Sequence, residues 1–178
     1  MAFVELIEDE EFGAADREVF GYTPNFCRLF VRRPAAYAAW RQLNGSIKET
    51  MDLRRYELAT VAAAGELRSS YCSLAHGKVL YDRFGLAPGD AVSEEERAVQ
   101  DLARKVAADA TSVTQEDVER LRGFGLTDDE IFDVVLAAAA RSFFSKTLDA
   151  LAIAPDAAFR ELPGAIREPL TVGRPIAD

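Results

Sequence analysis

The sequence predicts an all-α protein, and three observations carry that prediction. Apolar residues recur at helical spacing almost everywhere. No run of alternating β-branched residues bounded by turn signals interrupts them. Helix-capping signatures recur ahead of the apolar runs, so the starts of several helices can be read directly.

Taken in order, a short helix is expected near Gly13 to Phe20. Thr23 can cap the next, with Pro24 at its first helical position and its end at Val31. Pro34 opens a third, which passes Trp40 and reaches about Ile47. Asp52 caps a helix from Leu53 to about Leu67. After a break at Arg68-Ser69, another runs from Ser70 to about Phe84, where Gly85 stops it. Ser93-Glu94-Glu95-Glu96 is a capping box for a helix to about Ala108, and Thr114-Gln115-Glu116-Asp117 opens one ending at Gly123-Phe124-Gly125. Thr127-Asp128-Asp129-Glu130 opens the last and longest, to about Ile153. Beyond it, Pro155, Pro163, Pro169 and Pro175 punctuate a segment expected to be an extended arm. Residues 1–154 are thus expected to form one helical domain, with 155–178 packing on a neighbouring subunit. The final long helix, with Ala137 to Ala140, Phe143 and Phe144, is apolar on more than one face and predicts a homo-oligomer.

Composition narrows the function classes. A chain of 178 residues that is 49% hydrophobic can bury one sizeable core. A net charge of -9 argues against a nucleic-acid partner and against an anionic membrane surface, both of which need a basic face. The N-terminus has no basic segment followed by an apolar run, and the longest near-apolar stretch, Val134 to Ala140, is too short to cross a bilayer. Two cysteines 45 positions apart resemble neither a disulfide framework nor a zinc site, so a cytoplasmic protein is expected. One histidine and two distant cysteines fall short of a metal ligand set, and no cofactor is implied.

The chemistry centres on Ser69-Ser70-Tyr71-Cys72-Ser73-Leu74-Ala75-His76-Gly77. Cys72 and His76, the only histidine, stand four residues apart and share a helical face. An imidazole there can take the thiol's proton, and the thiolate is the nucleophile. Ser69 or Ser70 is a natural N-cap, which puts Cys72 in the first turn, where the helix dipole favours negative charge. Glu57 lies along an apolar edge of the preceding helix; it either feeds a proton relay through His76 or pairs with Arg54. Tyr71 is an active-site wall or part of the core. Cys72 itself, on residue type alone, reads as a small buried hydrophobe, as does Cys27 among its aromatic neighbours.

These residues resemble the carboxymuconolactone decarboxylase family. Arg54-Arg55-Tyr56-Glu57-Leu58, then Tyr71-Cys72 and His76-Gly77, are most similar to its alkyl hydroperoxidase D-like, peroxidase-related branch, and the similarity extends over about Leu53 to Ile153. In that branch a glutamate precedes a C-x-x-C motif by twelve residues, and a histidine follows the second cysteine by four. The resemblance implies that Glu57, Cys72 and His76 hold those places, with Cys72 the residue that attacks peroxide. Ser69 stands where the first cysteine would be, so the intramotif disulfide cannot form. Tyr71 stands where some members carry a further relay histidine. What the resemblance implies is a helical bundle that reduces a small hydroperoxide through one cysteine. Its thiol is then restored by Cys27 or by an external thiol reductant. Ser69 can still donate to a sulfenate or substrate oxygen. Two alternatives stay open. One is a lyase using His76 and Glu57 for acid–base chemistry on a small organic acid, and the other is a non-catalytic oligomeric member.

Overall fold

The computed structural model describes residues 2–178. It contains nine α-helices among the described residues: α1 (Ala14–Phe20), α2 (Asn25–Phe30), α3 (Pro34–Thr50), α4 (Leu53–Glu66), α5 (Ser70–Phe84), α6 (Glu94–Asp109), α7 (Gln115–Gly123), α8 (Asp128–Ala150) and α9 (Gly164–Leu170). Short 3-10 turns at Ala110–Ser112 and Ala157–Glu161 complete it, and no strand occurs among these residues.

Most boundaries follow from local chemistry. The Asp52 carboxylate accepts from the Arg55 backbone N–H at the start of α4. Ser93, Thr114 and Thr127 each form a reciprocal capping box with Glu96, Asp117 and Glu130. Gly85 ends α5 in the left-handed region, at φ 62°. At α2 the expectation shifts by one residue. Pro24 occupies the cap position itself, and the Thr23 hydroxyl accepts from the Arg17 guanidinium instead of capping.

α4 lies at the centre, against α5, α6 and α8, while α3 packs on α8 and α9 on α5. Between α4, α6 and α8 the core is built from small residues such as Ala59, Ala63, Ala98, Ala103, Ala137 and Ala138, which let the helices approach closely. Leu102, Leu121 and Val134 fill the remaining space. A second core, richer in aromatic rings than the first, joins α2, α3 and the ends of α5 and α8 through Phe26, Phe30, Tyr37, Tyr71 and Phe144, with leucines and isoleucines between them.

The segment after Pro155 departs from the extended arm expected. Phe159, Leu162, Ile166 and Leu170 are buried in the aromatic core of the same chain. Their prolines bracket helical turns instead of preventing them: Pro163 is the cap of α9, and Pro169 falls in its last turn. Leu170 packs so tightly over Gly77 of α5 that a β-carbon at position 77 would collide with it. Further along, the Gly173 N–H donates to the Ser70 hydroxyl at 2.7 Å, and only a glycine fits against the Arg68 carbonyl. The C-terminal segment therefore clasps the start of α5. α8 is not covered all round, because Phe132 and Phe143 remain 59% and 49% exposed on its outer face. No helix among the described residues is long and apolar enough to cross a membrane.

Candidate functional site

A cavity of roughly 540 Å³ opens between α3 and α5. The helical repeat of both walls explains its lining. On α3, Tyr37, Trp40, Arg41, Asn44 and Lys48 lie on one face and turn towards it, and on α5 the matching face presents Cys72, Ala75, His76 and Val79. α4 supplies Glu57 and α8 supplies Arg141 and Phe144.

The break at Arg68-Ser69 lets α4 and α5 fold back on one another, which brings Glu57 and His76 together. His76 Nδ1 lies 2.5 Å from Glu57 Oε2. With a carboxylate as partner, Nδ1 carries the proton and donates it, leaving Nε2 as the free acceptor. Burial, reinforced by Arg141 and Lys48, pushes the imidazole down to about 4 against the pull of Glu57. His76 is therefore neutral near pH 7. Burial works to raise the Glu57 carboxyl, but His76, Lys48 and Arg141 together hold it below its ordinary value. Lys48 Nζ stands 3.7 Å from Glu57 Oε1 and over the Tyr56 ring. Arg54 is engaged elsewhere, donating to Glu96 at 2.5 Å, so it does not pair with Glu57.

Cys72 is buried in the first turn of α5, three residues past the cap. Among the described residues, no hydrogen bond joins its thiol to His76. The partner of its sulfur is Arg141, whose Nη1 lies 3.6 Å away. The other guanidinium nitrogen, Nη2, donates to the Tyr56 hydroxyl at 3.2 Å, which in turn donates to Asn44 at 2.6 Å. Arg141 is only 3% exposed and faces the rings of Trp40 and Phe144. Burial lowers its basicity, yet Cys72 and Tyr56 beside it leave it raised. A buried cation whose nearest polar neighbours are a thiol and a phenol, rather than a carboxylate, is costly unless something anionic shares its space.

Of the remaining sequence candidates, Tyr71 lines the same cavity, while Ser69 and Cys27 do not. Ser69 holds the cap position without capping; its wholly buried hydroxyl makes no hydrogen bond of good geometry and lies beside Asp149. The Tyr71 hydroxyl donates to Asp156 and accepts from the Phe26 N–H at 3.4 Å, tying α5 to α2 and to the C-terminal segment. Cys27 does not line the cavity. Its thiol donates to Asp16 at 3.5 Å, and burial, then Asp16, push it up to about 12. Such a thiol is a poor nucleophile.

Sequence reasoning missed Arg141, Lys48, Tyr56 and Asn44. A signal for the first existed: Arg141 is the lone cation between Ala137–Ala140 and Phe143-Phe144, in a stretch otherwise able to bury completely. The α3 face was legible too, in the spacing of Tyr37, Trp40, Arg41, Asn44 and Lys48.

No family model matches the chain, and no curated protein matches it. Solved structures do. An uncharacterized peroxidase-related protein from Ralstonia eutropha JMP134, described as an alkylhydroperoxidase AhpD core, superposes with a TM-score of 0.80 at 19% identity, covering 89% of this chain and 94% of that one. An uncharacterized peroxidase-related protein from Silicibacter sp. TM1040 gives 0.71 at 19% identity, over 89% and 91%. A protein of unknown function from Agrobacterium tumefaciens, described as a putative antioxidant defence protein AhpD, gives 0.63 at 18% identity, over 71% and 94%. The nine-helix arrangement built around α4 is thus the alkylhydroperoxidase AhpD-like fold.

Proposed function

We propose that this protein belongs with the peroxidase-related AhpD-like proteins and reduces an organic hydroperoxide through Cys72. The observation that carries the reading is the contact between Arg141 and Cys72 Sγ inside a cavity large enough for a small molecule. A guanidinium at 3.6 Å gives the sulfur a charge-assisted donor and also offers donors to a peroxide oxygen lying against it.

Chemically, the Cys72 sulfur attacks the terminal peroxide oxygen, the S–O bond forms as the O–O bond breaks, and an alkoxide leaves. The thiol proton ends on that alkoxide; His76, which lines the same cavity without touching the thiol, relays it across bound substrate or solvent through Nε2, with Glu57 on the far nitrogen stabilising the imidazolium that forms in passing. Sulfur is oxidised by two electrons, peroxide is reduced to alcohol, and Cys72 is left as a sulfenic acid. An external thiol then condenses with it, releasing water, and a second external thiol displaces the resulting mixed disulfide to restore Cys72. Cys27 does not serve, because its thiol donates to Asp16, does not line the cavity and is raised by burial to about 12. Exposed Phe132 and Phe143 support a homo-oligomer, which size-exclusion chromatography with light scattering checks directly; a clean monomer removes that part.

The test is reduced protein treated with one equivalent of cumene hydroperoxide and a sulfenic-acid trap, read by peptide mass. Labelling confined to Cys72, and absent from Cys72→Ser, is expected. If Cys72 oxidises no faster than a free thiol, the peroxidase reading fails, and His76 with Glu57 returns to acid–base chemistry.

A further inference from the structure

The face of α5 that carries the reactive thiol continues past His76. Cys72, His76, Val79 and Arg83 follow one another at helical spacings of four, three and four, and all four line the cavity. Eleven residues of helix put Arg83 about 16 Å along the axis from Cys72. Arg83 is exposed in the last turn of α5 and makes no hydrogen bond or ion pair among the described residues. The other two cations near the opening are partly engaged: Arg41 faces Asp16 at 3.9 Å and Lys48 faces Glu57 at 3.7 Å. At the Cys72 end Trp40 stacks on Phe144 at 4.1 Å between ring centres, both against Arg141, and beyond His76 the lining turns apolar at Val79 and Leu53.

Charge points the same way. Four cationic side chains, Arg41, Lys48, Arg83 and Arg141, line this cavity against Asp16, Glu57 and Asp156, and burial pushes the Asp156 carboxyl towards its neutral form. A positive recess in a chain of net charge -9 concentrates small anions there while the rest of the surface repels them.

We infer that the substrate is an amphipathic hydroperoxide bearing an ionised carboxylate. Its apolar chain lies along Val79 and Leu53, its carboxylate on the Arg83 guanidinium, and its peroxide at Cys72, beside the Trp40–Phe144 stack. The inference rests on the peroxidase reading above. Arg83 is a binding residue and takes no part in the sulfur chemistry.

Because Trp40 is the only tryptophan, its fluorescence reports on the cavity whether or not chemistry follows. Reduced protein is titrated with dodecanoate and with methyl dodecanoate. The acid is expected to bind about tenfold tighter, the equivalent of one charge-assisted contact. Arg83→Gln should abolish that preference, and Arg83→Lys should restore most of it. A helix-terminal arginine with a purely structural role would leave the acid-to-ester ratio unchanged in Arg83→Gln, and that result overturns the inference. Equal binding of acid and ester by the wild type overturns it as well, while leaving Cys72 oxidation by cumene hydroperoxide untouched. In the second arm, a fatty-acid hydroperoxide and its methyl ester are compared as oxidants of Cys72. Faster reaction of the acid is expected; preferred binding of dodecanoate with no oxidation of Cys72 by any hydroperoxide overturns both readings.

Discussion

The two halves of the bundle are stabilised in different ways. Around α6, α7 and the first half of α8, the core is aliphatic and alanine-rich, and the helices start at reciprocal capping boxes. Around α1, α2, α3, α5 and α9, no helix has a side-chain cap, the core packs aromatic rings among leucines and isoleucines, and Asp16, Glu57, Arg141 and Asp156 are buried. There the polar contacts join residues far apart in sequence: Cys72 to Arg141, Tyr71 to Asp156, Tyr22 to Asp156. The first half is a scaffold set by local rules; the second is organised by its polar contacts. α4 and α8 run through both, which is how a rigid frame holds the site.

Substitutions should separate the halves. The largest effect belongs to the scaffold, where Leu102→Ala should cost about 2 to 5 kcal/mol in urea unfolding while Cys72 in the remaining folded protein reacts at the wild-type rate. Arg141→Met should do the reverse. Losing a charge-assisted contact of about 1.5 to 3 kcal/mol should slow Cys72 sulfenic-acid formation about 10- to 100-fold. Stability should hold or rise, because a buried charge is replaced by an apolar chain; a variant that unfolds at unchanged reactivity would place Arg141 with the scaffold.

A comparable effect should appear in the pH dependence of stability. His76 is depressed from 6.5 to about 4 in the fold, so as pH falls the unfolded chain binds the proton first. The contribution of the neutral imidazole is therefore complete above about pH 6.5 and is lost between there and about 4. Glu57, also depressed, acts with the same sign at the acid end of that window. Thermal unfolding of His76→Gln should show a shallower slope across it. The smallest effect, about 1 kcal/mol, is expected for Ser93→Ala, which removes a cap far from the cavity and should leave Cys72 labelling unchanged.

This contrast also explains what the sequence allowed to be read. Asp52, Ser93, Thr114, Thr127 and Gly85 act on backbone within one turn of themselves, so their helices were legible from spacing alone. Arg141 was not, because its meaning depends on Cys72, 69 residues away, and on a phenol from α4. The expectation of a direct thiol–imidazole contact used spacing on one helix; Glu57 and Arg141 instead draw the two groups to different partners. The C-terminal segment was misjudged because its prolines are more conspicuous than the apolar spacing of Phe159, Leu162, Ile166 and Leu170.

The buried hydroxyl of Ser69 leaves the molecule one substitution from a pair of cysteines at C-x-x-C spacing. It occupies the cap position three residues before Cys72, wholly inaccessible and without a well-formed hydrogen bond. A sulfur tolerates such a setting better than an unsatisfied oxygen does. Ser69→Cys should therefore fold at least as well as the wild type. On the proposed peroxidase chemistry the variant should also close its own 69–72 disulfide, visible as a two-dalton mass loss under peroxide and the disappearance of the trappable sulfenic acid.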